Sequence, residues 1–387
     1  MQFKKIEARS IPDSRKQPTI QITIDTSEGS FVSAAPSGKS KGRYEARPYY
    51  KSLQQDIEFL NSIKIQDWNK IKIQEFKDLL EVEGLTNGKI GANSLFALEA
   101  SILKALAAEQ GQELWEYLVR GKPTLPIPVG NSIGGGLHTN IKGQRADFQE
   151  FLFINKAKKF FDRVFINKQA YKLAGKKLGS KEVNDEGAWK THLEDEKILD
   201  VMNEVKKEIQ QEFGEKIELG LDVAASTFYN GKEYFHKNKP MRLSKVQHIK
   251  YMKKLIQDKD IFYVEDPLEE EDFYGFHDLT KNSKSMIVGD DLTVTNLTRL
   301  KKAIQTNSIN AMIVKPNQNG SLLKVKEIIE FCKKNEIATI ISHRSGETND
   351  FTIADLAAAW KTDYIKTGVF GKEREAKLNR LIKIEKS

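Results

Sequence analysis

Six ionisable residues, Asp222, Glu265, Asp290, Lys315, His343 and Lys366, stand at or just past the ends of short apolar runs. The runs are KIELGLD, DIFYVED, SMIVGDD, NAMIVK, ATIISHR and DYIKTG. Three carboxylates gathered in one place offer hard oxygen ligands, which suit Mg²⁺ better than Zn²⁺, and no His/Cys cluster has zinc spacing. Asp290 and Asp291 adjoin in VGDDLTVTN, and spacing does not choose between them. Two lysines and a histidine beside such a site would attract an anion. A lysine is a general base only when neutral, so a neighbouring cation must bring it down from about 10.4. Lys315 is the candidate base, with Lys366 and a divalent ion as its neighbours. One acid after a strand is equally well a helix cap, and one lysine alone would snorkel to solvent. The series of six is what argues for a site.

Further residues extend the chemistry. In ISHRSGETND, Arg344 can hold a phosphate or carboxylate bidentately, Ser345 can donate to it, and His343 can touch the substrate. The loop PSGKSKG, residues 36–42, is not a Walker A motif, because Ser33 stands where the first glycine is required. It reads instead as a lid that closes over substrate and excludes water. HTNIKGQRADFQEF brings His138 and Glu150, and NDEGAWKTH brings Glu186. Two carboxyl groups close in space share a proton, so one can serve as an acid at neutral pH, although nothing local brings Glu150 and Glu186 together. His192, His236, His248 and His277 receive no role.

These residues need a frame that presents them on one surface. A (β/α)₈ barrel spends about 31 residues per strand and helix and builds its site at the C-terminal strand ends, which is the spacing seen here. Helical runs such as SKVQHIKYMKKLIQD, NLTRLKKAIQ, SLLKVKEIIEFCKKN and FTIADLAAAW separate the apolar strands. That alternation predicts an α/β fold with a mainly parallel sheet closed into a barrel. Ahead of it, MQFKKIEARSI, PTIQITIDT and SFVSAA predict a three-stranded meander, followed by helices from about Gln54 and over Ala92–Gln110. The proline-rich GKPTLPIPVG should break helix and central strand alike, which sets an N-terminal α+β domain at 1–122 and the barrel at 123–387.

Composition narrows the classes. Of the 387 residues, 39% are hydrophobic and 30% charged, with no run long and apolar enough to span a membrane. The formal charge is +8, but lysines alternate with acids along the whole chain and form no aromatic-lined basic stripe. Nucleic-acid binding is therefore not expected, whereas an anionic small substrate is. The N-terminus has no apolar signal region, and Cys332 is the single cysteine, so a cytoplasmic location is expected.

Read together, DSRKQPT, PSGKSKG, GANSLFALEASILKALA, QEF, DEG, LGLDVAAS, VEDP, GDDLTVTN, SHRSGET and IKTG resemble the enolase family over essentially the whole chain. The resemblance implies an enolase-type barrel that interconverts 2-phospho-D-glycerate with phosphoenolpyruvate and water. It further implies that Asp222, Glu265 and Asp290 hold a first Mg²⁺ and that Ser40 reaches a second. Lys315 would remove the C2 proton, as the superfamily uses a Lys or His base with Mg²⁺. Glu186, assisted by Glu150, would help the C3 hydroxyl leave. His343 and Lys366 would meet the reacting end, Arg344 and Ser345 the phosphate, and His138 would close from its own loop. A homodimer or higher homo-oligomer is also implied.

The chain departs from the pattern in places. Lys39 and Lys41 flank Ser40, Ala188 and Trp189 follow DEG and could crowd the acid, and Thr227 replaces an expected Glu. A second reading follows from these changes, a diverged paralogue acting as a binding or scaffold protein.

Overall fold

The computed structural model describes residues 1–39, 42–139, 141 and 143–387. Ser40 and Lys41, named above for the lid, therefore lie outside the described residues.

β-formers at alternate positions bury one face of a strand, because successive side chains point to opposite sides. Ile20, Ile22 and Ile24 do this in β2 (Pro18–Asp25), which pairs antiparallel with β1 (Lys5–Pro12) and β3 (Ser30–Ala34). The helix Ala92–Glu109 lies on this sheet, and Ser101 Oγ donates to Ile22 O at 3.0 Å. Its sequence is apolar on nearly every face, as suits a helix covered on several sides. On the other side it meets the barrel, where Glu99 Oε2 accepts from Leu322 N at 2.6 Å.

The later strands are β4 (Ile127–Gly134), β5 (Glu150–Asn155), β6 (Trp189–Lys190), β7 (Ile217–Asp222), β8 (Glu233–His236), β9 (Met241–Ser244), β10 (Ile261–Glu265), β11 (Met286–Gly289), β12 (Ala311–Val314), β13 (Ala338–Ser342) and β14 (Tyr364–Lys366). Among the described residues, β4, β5, β7 and β10 to β14 form a barrel that closes by β14 pairing with β4. β6 adds to β4 outside it, and β8 with β9 makes a separate hairpin. Helices connect the parallel strands, and several of their starts are capped by side chains. Ser244 forms a capping box with Gln247, Asn296 accepts from Thr298 N and Arg299 N, and Ser321 accepts from Lys324 N.

Two details differ from the sequence expectation. β5 runs antiparallel to both β4 and β7. Among the described residues, the link from β4 to β5 contains only a short 3₁₀ turn, Gly136–His138, and without a crossover helix there the chain returns in the opposite direction. The proline-rich segment does not exclude a strand, since β4 starts inside it at Ile127 and Pro128 pairs with Ile365. Proline is tolerated at the beginning of a strand, where few ladder donors are lost.

Candidate functional site

Strand register assembles the rim. Glu150 is opposite Asp222, and Asp222 is opposite Glu265. Because β5 is reversed, it contributes its first residue to the surface where β7 and β10 contribute their last. Lys366, at the end of β14, reaches all three carboxylates, with Nζ 3.0 Å from Asp222 Oδ2, 2.8 Å from Glu265 Oε2 and 3.1 Å from Glu150 Oε2. Lys315, following β12, donates to Asp290 Oδ2. Glu265 Oε1 and Asp290 Oδ1 are buried without a hydrogen-bond partner. Buried carboxylate oxygens left unpaired are costly, and a hard cation is the natural group to satisfy them.

Loops beyond the strand ends complete this side. Asp266 accepts from Asp290 N at 3.1 Å and from Asp291 N at 2.7 Å, which fixes both backbones. Thr295 Oγ1 accepts from Lys315 N at 2.9 Å. Val294 and Thr295 both hold positive φ, a conformation that costs a non-glycine residue about 1–3 kcal/mol and is concentrated at functional sites.

The charges follow from burial and neighbours. Burial first, then Asp222, push Glu265 up to about 8. Burial and Asp290 likewise raise Asp291 to about 7. Lys315 departs from the sequence expectation of a lowered pKa. Burial pulls it down and Arg344 and Lys366 help, but Asp290 and Glu265 outweigh them and it stands above its ordinary value. Burial also opposes the charge on Lys366, yet Asp222, Glu150 and Glu265 hold it well above.

Across the pocket, His138 Nδ1 lies 3.1 Å from Glu186 Oε1, and Asn131 Nδ2 donates to Glu186 Oε2 at 3.1 Å. One atom each of His138, Glu150 and Glu186 fall within 4.8 Å of one another, so the fold unites the two acids that the sequence could not connect. Burial, with Glu186 and Asp222 nearby, lifts Glu150 well above the usual carboxylate range. Burial pushes Glu186 the same way, but His138 and His343 draw it well below. The pair thus holds its proton on Glu150 and its charge on Glu186. Trp189 does not crowd the acid. Its ring stacks on Tyr171 at 4.9 Å, its Nε1 donates to Tyr171 O, and Gly175 leaves the space for it.

Arg344, Ser345 and the loop ending at Lys39 meet at the third side. Arg344 Nη1 and Nη2 donate to Glu45 at 2.8 and 3.1 Å, and Nη1 also approaches Asn317 Oδ1 at 3.3 Å. Arg374 donates to Arg344 O and Ser345 O at 2.9 and 2.8 Å, fixing this backbone. Ser37 and Gly346 form a two-bond bridge, and Lys39 N donates to Ser345 Oγ at 2.8 Å. The Lys39 side chain reaches Leu137 O at 3.1 Å and Asp185 at 3.5 Å, next to His138 and Glu186. His343 is buried in the same pocket with Nδ1 unpartnered; burial and then Arg374 hold it well below its ordinary value. Thr227 also lines the pocket, with its hydroxyl turned to Ala224 O.

The sequence missed Glu45, Asp266 and Arg374. Glu45 stands just after the lid and Asp266 directly follows Glu265, but only their three-dimensional partners distinguish them from surface acids. The buried pair His236 and His248, given no role, are also in contact, with ring nitrogens 3.5 Å apart.

A closed β/α barrel that sets cation-ready carboxylates, two lysines, an acid pair sharing one proton and an arginine clamp around one pocket is the framework of a lyase acting on a phosphorylated carboxylate. Family models agree in detail. Residues 3–118 match the enolase N-terminal domain, and residues 122–387 match the enolase C-terminal TIM barrel domain. The chain is 36% identical to an enolase of Archaeoglobus fulgidus, with 100% of this chain and 97% of the relative aligned. It is 37% identical to enolases of Natronomonas pharaonis, covering 98% of each chain, and of Methanocorpusculum labreanum, covering 99% of each. The chain belongs to the enolase family. Its activity is that of a phosphopyruvate hydratase, the reversible dehydration of 2-phospho-D-glycerate to phosphoenolpyruvate in glycolysis and gluconeogenesis.

Proposed function

We propose that the residues of this pocket divide the dehydration among them as follows. Lys315 removes the C2 proton, and Lys366 and His343 face the substrate carboxylate and reacting carbons. Glu186 delivers a proton to the C3 hydroxyl, with Glu150 as the proton reservoir beside it and His138 holding Glu186 in place. Arg344 and Ser345 bind the phosphate, and the lid around Ser40 closes over it.

The observation that carries the reading is the union of both halves of the chemistry in one pocket. Lys315 lies on one side and the proton-sharing Glu150–Glu186 pair on the other, both lining the cavity with Arg344. Removing a proton beside a carboxylate builds a second negative charge at that end, so positive groups placed there lower the barrier. A hydroxyl leaves poorly unless protonated, which gives the acid pair its task.

Asp222, Glu265 and Asp290 are the residues to hold Mg²⁺, and the unpartnered buried oxygens of Glu265 and Asp290 fit a hard cation. When bound, Mg²⁺ supplies positive charge where the dianion develops and offsets the Asp290 charge that keeps Lys315 protonated. Ser40, outside the described residues, is the residue that would reach a second Mg²⁺. Residues 1–122 and 123–387 form the two domains, supported by family-model spans that change between 118 and 122. No helix among the described residues is long and apolar enough to cross a membrane, and Cys332 is buried and unpaired, which accords with a cytoplasmic enzyme. Family membership supports a homodimer. No observation favours the scaffold reading, since among the described residues the departures at Lys39, Ala188, Trp189 and Thr227 leave the pocket intact.

The test is direct. Purified protein mixed with 2-phosphoglycerate and Mg²⁺ should produce the ultraviolet absorbance of phosphoenolpyruvate at an enzymatic rate, on the order of 1–10³ s⁻¹. A chelator should abolish the rise. No rise from folded, Mg²⁺-supplied protein would refute the assignment.

A further inference from the structure

Period-two alternation puts Tyr263 and Glu265 on the same face of β10, and that face is the barrel interior. Tyr263 is fully buried there among Val129, Leu152, Val288 and Ile313, directly beneath the rim. A phenol in such a core needs a polar partner, and Tyr263 has one: its hydroxyl donates to Glu265 Oε2 at 2.6 Å. Its bulk is accommodated by Gly220, its register partner on β7. A Cβ at Gly220 would fall 3.1 Å from Tyr263 Cβ and 3.3 Å from Cδ1.

The two oxygens of Glu265 are consequently unequal. Oε2 receives both the phenol and Lys366 Nζ, whereas Oε1 is buried with no partner. We propose that Tyr263 is a positioning residue, which pins Oε2 from inside the barrel so that Oε1 is the oxygen Glu265 offers to a divalent cation. This rests on the reading of Glu265 as a cation ligand. Lys366 approaches Oε2 as well, but it also engages Asp222 and Glu150, and a flexible ammonium shared among three carboxylates cannot fix the rotation of one. The phenol is held by the packed core on a rigid strand, and a single donor so placed does fix it. Partners of this kind set ligand orientation, and their loss typically weakens metal binding about 10–100-fold.

The experiment titrates the substrate-free full-length chain with Mg²⁺ by calorimetry, using wild type, Tyr263→Phe, Tyr263→Leu and Asp290→Asn. Tyr263→Phe removes one oxygen and keeps the ring, so it should weaken Mg²⁺ binding about 10–100-fold, and turnover should recover as Mg²⁺ is raised. Tyr263→Leu should weaken binding at least as much. If the Phe variant binds Mg²⁺ like wild type while the Leu variant does not, the ring acts only as packing and the proposal is overturned. If Asp290→Asn weakens Mg²⁺ binding and neither Tyr263 variant does, the cation site stands and the role of Tyr263 falls. If Asp290→Asn binds Mg²⁺ as wild type does, the assignment of the site itself fails and takes this proposal with it.

Discussion

Lowering the pH should strip stability from this protein at His248, by an amount that can be worked out. His248 is fully buried on the helix Lys245–Asp258, stacked on Tyr234 at 3.9 Å. Nε2 lies 3.0 Å from Pro267 O, which can only accept, so the hydrogen-bond network assigns the proton to Nε2. Nδ1 then accepts from His236 Nε2. A second proton would have to sit on Nδ1, facing another donor in a dry site. Burial and the neighbouring His236 accordingly push His248 from 6.5 down to about 3. The unfolded chain therefore binds the proton that the folded chain refuses between those values. Stability from this group is complete above pH 6.5 and is lost as pH falls toward 3. Linkage over that window gives a loss of about 2 kcal/mol from pH 7 to pH 5 and about 4 kcal/mol by pH 3.

The neighbours modify the total but not the difference. His236 is also lowered, by burial first, and contributes with the same sign. Asp195 is raised to about 7 by burial and Asp147, and it contributes with the opposite sign, stabilising as pH falls. His248→Gln keeps a donor for Pro267 O and cannot titrate. Urea unfolding followed at pH 7 and pH 5 should show wild type losing about 2 kcal/mol more than the variant across this interval. Equal losses in the two proteins would show that His248 accepts its proton in the folded state and that the burial argument is wrong.

Other outcomes follow from the site. Lys315→Ala should slow exchange of the C2 proton with solvent by at least about 10²–10⁴-fold, and near-normal exchange would remove the lysine from its role. Asp290→Asn should raise the Mg²⁺ concentration needed for half-maximal turnover, whereas an unchanged requirement with a defect in Asp291→Asn would move the ligand one residue along. Lys39→Ala breaks half-exposed contacts to Leu137 and Asp185, worth little in solvent, so KM should rise by no more than about fivefold with kcat retained. A collapse of kcat would mean that Lys39 touches the reacting substrate.

Much of this protein was legible before folding was considered. Asp222, Glu265 and Asp290 end apolar runs, and in a β/α barrel the ends of strands are the site. Periodicity and strand length are local properties, so the barrel, the meander and the position of the rim acids could be read from neighbouring residues alone. Other features depend on contacts far apart in the chain. The reversal of β5, which brings Glu150 beside Asp222, follows from strand pairing. The union of Glu150 with Glu186, the Arg344–Glu45 pair and the bond from Arg374 to the clamp join segments tens to hundreds of residues apart. Protonation is decided in the same way, since Lys315 ends above its ordinary value because Asp290 is its partner in space. Sequence determined which groups this protein possesses and the strand ends on which they stand. Tertiary structure decided which groups touch, because burial and Coulomb energy depend on distance in space and not on separation along the chain.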